Sequence, residues 1–145
     1  MKVEIVEANL EHLFAVMENM RDWERAHCLK LFGNNLEQEA ARMLARSLLA
    51  FAGFVDGKCV IIWGVHTEKI LSETGYVWML GTKFLEDHPI PFLRHTKQQV
   101  DLLRESFSRL YGTVLTDLSC GEKWLKWLGF EVGPDEGGIR VFVTR

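Results

Sequence analysis

Two apolar runs of strand length, Phe51-Ala52-Gly53-Phe54-Val55 and Cys59-Val60-Ile61-Ile62-Trp63, flank Asp56-Gly57-Lys58. Asp-Gly accepts the positive φ that a tight turn demands, so the stretch predicts a β-hairpin in the middle of the chain. The apolar period on either side of this hairpin is different, and that contrast organises the rest of the sequence.

Val3, Ile5 and Val6 suggest a short first strand. Asn9 reads as a helix cap. Leu10, Leu13, Phe14, Met17 and Met20 then recur at steps of three and four, an apolar helical face expected to run on to about Cys28. Gly33-Asn34-Asn35 interrupts it, and Leu36, Ala40, Met43, Leu44 and Leu48 mark a second helix. Beyond the hairpin, Thr74 to Leu80 reads as a strand, and a proline-bearing loop covers Thr82 to Pro91. Phe92, Thr96, Val100, Leu103, Phe107 and Leu110 define a long helix that Gly112 is expected to stop. Thr113 to Leu118 is a strand, Glu122 to Leu128 a short helix ended by Gly129, and Ile139 to Thr144 a final strand. A further short strand fits at Phe130-Glu131-Val132. Runs of adjacent strands interrupted by crossover helices imply an α/β (α+β) fold, a mixed central sheet of about six to seven strands with helices on both faces. With no repeat, linker or low-complexity segment, residues 1–145 are expected to form a single domain.

Apolar residues make up 48% of the chain and charged residues 26%, a profile that excludes a disordered polymer. The formal charge is -3 and no basic stripe is visible, so nucleic-acid binding is not expected. Cys28, Cys59 and Cys120 are far apart and form no C-x-x-C, which indicates neither a disulfide framework nor a zinc site, and no metal is expected. Met1 to Glu7 lacks the apolar stretch of a signal peptide, and no run reaches the roughly 20 apolar residues of a membrane span. A cytoplasmic setting with reduced thiols is the expectation.

The order of these elements, together with Trp124-Leu125-Lys126-Trp127-Leu128-Gly129-Phe130, resembles the GNAT (acyl-CoA N-acyltransferase) superfamily, whose short late helix ends in Gly-Phe before the sixth strand. Met20-Arg21 with Glu24, Phe92-Leu93-Arg94, and Trp124-Leu125 before Leu128-Gly129-Phe130 are similar to the GNAT-like proteins of tailed bacteriophages, the group that includes T7-type internal virion protein A. The resemblance implies that acetyl-CoA lies between the strands at Tyr76–Leu80 and Val114–Leu118, with Trp78, Met79 and Leu80 as the cofactor-binding strand. It implies that pyrophosphate meets the start of the long helix, where unpaired N–H groups and the helix dipole favour an anion.

This chain departs from the family at two places. The family's glycine-rich phosphate loop is missing, since no glycine occurs between Gly81 and Gly112. Arg94 and Lys97 could supply charge instead, Arg94 bidentately, although the same residues suit a solvated helix face. The family's Tyr four residues before the Gly of Gly-Phe, which protonates the departing thiolate, is Leu125 here. A general base is still needed to take the amine proton. Glu24 and His27 stand three apart on one helix face, Asp117 lies late in a strand, and His66 and Glu73 are further candidates. The residues of the short helix around Trp124 and Trp127 exceed a one-sided apolar stripe, so one tryptophan is expected at the surface.

Two functions are therefore expected. One is acetyl-CoA-dependent N-acetylation of a small-molecule or protein amine, with Glu24, Asp117 and His27 as catalytic candidates. The alternative is an inactive GNAT-fold phage virion or assembly protein that acts through contacts with other virion proteins, in the host cytoplasm or the virion, with a homodimer as one form of contact.

Overall fold

The computed structural model describes residues 2–67, 73–84, 89–115 and 119–144. The elements are β1 (Val3–Glu7), α1 (Leu10–Glu18), α2 (Asp22–Phe32), a short 3-10 turn (Gly33–Asn35), α3 (Leu36–Arg46), β2 (Ser47–Val55), β3 (Lys58–His66), β4 (Thr74–Gly81), α4 (Pro89–Ser106), β5 (Arg109–Leu115), α5 (Ser119–Leu128), β6 (Phe130–Val132) and β7 (Ile139–Thr144). The strands form one sheet in the order β1-β2-β3-β4-β5-β7-β6. Among the described residues, only the β4–β5 pair is parallel.

The hairpin is formed as its sequence predicts. Asp56 and Gly57 have φ of 48° and 83°, the doubly positive geometry of a turn whose twist matches two antiparallel strands. Val55 pairs with Lys58 to close it.

Several boundaries differ from the sequence expectation, among them the strand expected at Thr113 to Leu118, which runs over Arg109–Leu115, and the short helix, which starts at Ser119. The first helix does not reach Cys28. It breaks after Glu18 because Met20 forms a β-bridge with Thr82 and the Asn19 carbonyl accepts from the Lys83 N–H at 3.2 Å. Tertiary backbone pairing thus replaces the helical bonds that the apolar period alone would continue. The second helix ends at Arg46, and Leu48 belongs to β2. The long helix starts at Pro89, inside the expected loop, and ends at Ser106, not at Gly112. Proline at the first helical position lacks an N–H that would have no partner there anyway. Residues 85–88 of the loop lie outside the described residues.

Gly112 is instead the middle of β5, paired with Phe142. A Cβ there would overlap Phe142 Cζ and sit 2.8 Å from the Val77 carbonyl oxygen. Phe142 is buried and packs edge-on against Phe130 at 4.9 Å between centroids. Gly112→Ala is therefore expected to cost about 3 kcal/mol, the upper end of overpacking, because one of the two obstacles is backbone. Thermal unfolding should fall by roughly 10 °C, and Phe142→Leu in the same chain should recover part of the loss. A midpoint unchanged in Gly112→Ala would contradict this packing.

Successive strand residues face opposite sides, which splits the core in two. On one face Leu13, Val16, Met17, Cys28, Leu36 and Ala40 from α1–α3 bury Ile62, Trp78 and Leu80. On the other, Val100 and Leu125 from α4 and α5, with Phe107 just past α4, pack on Val65, Leu110 and Phe142. Val60, Ile61 and Trp63 form a third cluster with Phe51 and Met79. On the short helix Leu125 and Leu128 are buried and Trp127 is 51% exposed. Among the described residues, no helix is long and apolar enough to cross a membrane.

Candidate active site

The parallel pairing of β4 with β5 covers three positions, Thr74↔Arg109, Gly75↔Leu110 and Tyr76↔Tyr111. Beyond Tyr76, β4 stays paired to β3 as far as Gly81, and beyond Tyr111, β5 stays paired to β7 as far as Leu115. Each strand is held on its outer edge and released on its inner one. The result is a V-shaped gap with its vertex at Tyr76 and Tyr111.

Backbone direction in the gap follows from one bond. The Thr82 N–H donates to the Val60 carbonyl at 3.0 Å, on the β3 side. Alternation along β4 then turns the N–H groups of Val77, Met79 and Gly81 toward β5, and the Tyr76↔Tyr111 pairing takes up that of Val77. Of the expected cofactor strand, Met79 is the residue that offers an amide there. The Trp78 and Leu80 side chains are core, and the Trp78 indole N–H donates to Ser47 Oγ at 2.9 Å.

The Gly81 amide is already occupied. It donates to both carboxylate oxygens of Glu24, at 3.0 and 3.1 Å. Arg21 donates to the same carboxylate from Nε and Nη2, at 3.3 and 3.2 Å, and stacks on Trp23 at 4.4 Å. Glu24 is 4% exposed. A carboxylate so engaged ties α2 to the end of β4, an arrangement that suits positioning more than proton transfer.

His27 faces the sheet from the same helix but reaches β5. Its Nε2 lies 3.4 Å from Thr113 Oγ1. Burial lowers its pKa below the usual histidine value, and the Lys30 ammonium lowers it further. The imidazole is thus neutral at physiological pH. Burial raises the pKa of the Tyr76 hydroxyl, and Thr113 works in the opposite direction. The Tyr76 ring stands edge-on to Tyr111 at 5.2 Å and to His66 at 6.0 Å. His66 buries Nδ1 with no hydrogen-bond partner among the described residues. Glu24 and His27 therefore share a helix face but serve different strands.

The remaining candidates are dispersed. Glu73 accepts from Ser108 Oγ at 3.3 Å, before the paired end of β4 rather than in the gap. Asp117 lies outside the described residues. On α4, Arg94 is exposed, and Lys97 pairs with Asp101 at 3.3 Å and sits 6.0 Å above the Trp127 ring. With the helix starting at Pro89, Arg94 falls in its second turn and Lys97 near its middle. Burial raises the Cys28 and Cys59 thiols to about 12 and about 11, so neither is a nucleophile at neutral pH. Sequence reasoning did not assign a role to Tyr76 or Thr113. Strand parity places Tyr76 beside Trp78 on one face, but nothing local marks a tyrosine at a strand divergence.

No family model matches the chain, and no curated protein matches it. Solved structures do match. The PaiA N-acetyltransferase of Thermoplasma acidophilum, solved in complex with coenzyme A, is 14% identical over 100% of this chain and 99% of its own, with a TM-score of 0.71. The ribosomal-protein-S18-alanine N-acetyltransferase of Escherichia coli is 12% identical over 99% and 93%, with a TM-score of 0.68. A GNAT-family acetyltransferase of Streptococcus pneumoniae is 13% identical over 99% and 99%, with a TM-score of 0.64. At these identities the likeness is one of fold, and it is the GNAT fold that the element order resembles.

Proposed function

We propose that the protein is an N-acetyltransferase that takes acetyl-CoA into the gap between β4 and β5 and acetylates a primary amine approaching from the α1–α3 side. The observation that carries this reading is a neutral, buried His27 beside a gap that the Met79 amide of β4 faces. The coenzyme A complex of the Thermoplasma structure, which shares the fold, supports the choice of acyl carrier.

The residues present fit such a carrier. Its extended arm would run along β4, with its amide groups opposite Met79. Arg94 and Lys97 would meet its phosphates by charge, in place of a glycine loop. Bound acetyl-CoA supplies an activated acyl carbon, and every other part of the chemistry falls to the chain. The gap-facing amide of Met79 would polarise the thioester carbonyl. His27 would accept the proton that the attacking amine must lose. Glu24 would hold the end of β4 in place. Asp117 is a second acceptor to be tested by Asp117→Asn.

Calorimetry with acetyl-CoA and thiol release in the presence of a panel of primary amines test the reading. Binding with turnover is expected. No heat of binding at millimolar acetyl-CoA would remove the catalytic reading.

A second reading, a virion or assembly protein of a tailed phage, rests on the sequence resemblance and on exposed apolar side chains. Leu10, Phe14, Leu48 and Leu49 are all more than 40% exposed, and Leu10, Leu48 and Leu49 line a groove of about 570 Å³ between α1, α3 and the start of β2. Such a surface suits a protein contact. Mass spectrometry of purified particles decides it, and absence from particles removes it.

A further inference from the structure

We propose that the acyl acceptor is an apolar amino acid, held with its amine at His27, its carboxylate on Lys30 and its side chain over Val141 and Val143. This deepens the acetyltransferase reading and rests on it. The observation is an uncovered strip of sheet beside the gap, bounded along one side by α2.

Strand register defines the strip. Cross-strand partners share a sheet face. Tyr76 packs with Trp78 and Leu80 under α1–α3, so its partner Tyr111 lies on that face. Thr113 follows two residues on, and the β7 partners of the pair are Val143 and Val141. On the opposite face the same two strands are roofed, with α4 and α5 over Leu110 and Phe142. The near face has no such roof. Among the described residues the cluster under α1–α3 ends at Tyr76. Tyr111, Thr113 and Val143 are half-buried, and Val141 is 50% exposed.

Two groups of α2 stand along this strip. His27 reaches β5, with Nε2 at 3.4 Å from Thr113 Oγ1. Lys30, three residues on and exposed, extends to the start of β7. Its Nζ lies 3.3 Å from where a Cβ on Gly138 would stand. Helix residues three apart are neighbours, roughly 5–6 Å between Cβ atoms. A base and a cation one turn apart therefore border one apolar floor. The amine and carboxylate of an amino acid share one carbon, so a molecule with its amine at His27 can turn its carboxylate along α2 to Lys30. The flexible lysine stem lets the ammonium follow it. The third substituent on that carbon then falls on Val141 and Val143.

Charge narrows the class. Glu24 is held by the Gly81 amide and Arg21, and Asp135 accepts from the Gly138 N–H at 2.9 Å. Glu131 stands opposite Val143 on β6, on the same sheet face, and disfavours an acidic side chain there. Lys30 repels a second ammonium, so a polyamine or a diamine is a poor fit. An amine without a carboxylate leaves Lys30 with nothing to bind. An apolar side chain with a carboxylate beside the amine meets every group of the strip.

The test compares leucine with isopentylamine, which has the same side chain and no carboxylate, using the whole chain and acetyl-CoA. The kcat/KM ratio of leucine to isopentylamine should be about 10 to 100, the worth of a hydrogen bond to a charged group. Lys30→Gln should bring that ratio to within about threefold of one, and Lys30→Arg should keep most of it. The comparison is made at about pH 8, where the imidazole is neutral in every variant. Val141→Asp should raise KM for leucine at least about tenfold with the acetyl-CoA Kd unchanged, because it sets a charge on the apolar floor. With saturating coenzyme A, amide NMR shifts on adding leucine should fall on Thr113, Val141 and Val143 and weaken strongly in Lys30→Gln. Turnover in which leucine is no better than isopentylamine, in which spermidine is best, or in which Lys30→Gln keeps the preference overturns this inference and leaves the acetyltransferase reading standing. Leucine shifts that fall elsewhere, or none, overturn the acceptor site whether or not acetyl-CoA turns over. Absence of acetyl-CoA binding by the wild-type chain overturns the acetyltransferase reading beneath it.

Discussion

Replacing His27 by glutamine is expected to lower kcat/KM for amine acetylation by 10²- to 10⁴-fold, the usual worth of a positioned general base. Glutamine keeps a polar group near Thr113 but cannot accept the proton. The pH profile gives a second reading of the same residue. A protonated imidazole is no base, so activity falls as pH drops through the His27 pKa. Burial, with Lys30 adding to it, places that pKa below 6.5, and the acid limb of kcat/KM should lie there too. Lys30→Gln removes the smaller cause and should move the limb modestly upward. The same shift links to stability. Because the folded pKa lies below the unfolded one, the unfolded chain takes up the proton first as pH falls. The stability contributed by neutral His27 is complete above about 6.5 and is lost as pH falls from there through the folded value. Urea midpoints at several pH values should show a loss on acidification that His27→Gln lacks. An acid limb unchanged in both Lys30→Gln and His27→Gln would remove His27 from the chemistry.

The largest loss of stability is expected at Glu24. Glu24→Ala leaves the Gly81 N–H without its acceptor and the Arg21 guanidinium, with a side chain only 12% exposed, without its partner. Breaking a buried pair from one side costs about 3–5 kcal/mol. That is a large share of the roughly 5–15 kcal/mol that holds a domain folded. Thermal unfolding should fall by about 10–15 °C. Glu24→Gln still offers Gly81 an oxygen and should lose clearly less. Equal losses in Ala and Gln would mean that the charge alone matters, and a loss of under 1 kcal/mol in Glu24→Ala would mean that the contact is not formed.

These two residues show how far the sequence could be read. Their three-residue spacing places them on one buried helix face, and both do face the sheet. The spacing could not say that Glu24 would reach β4 and His27 would reach β5. Those contacts join positions 57 and 86 residues apart in the chain. The same limit applies to the helix boundary at Met20, where a bridge to Thr82 interrupts an apolar period that continues without a break.

The Asp56-Gly57 hairpin, the order of strands and helices, and the two-faced core follow from short-range chemistry: positive φ at a turn, caps, and the contrast between periods of two and 3.6. Such signals act between near neighbours and are legible without a structure. The gap at Tyr76↔Tyr111 and the meeting of Thr113 with His27 are different in kind. They depend on where β4 and β5 stop pairing and on which side chains the sheet register then brings together, and only the folded chain decides that.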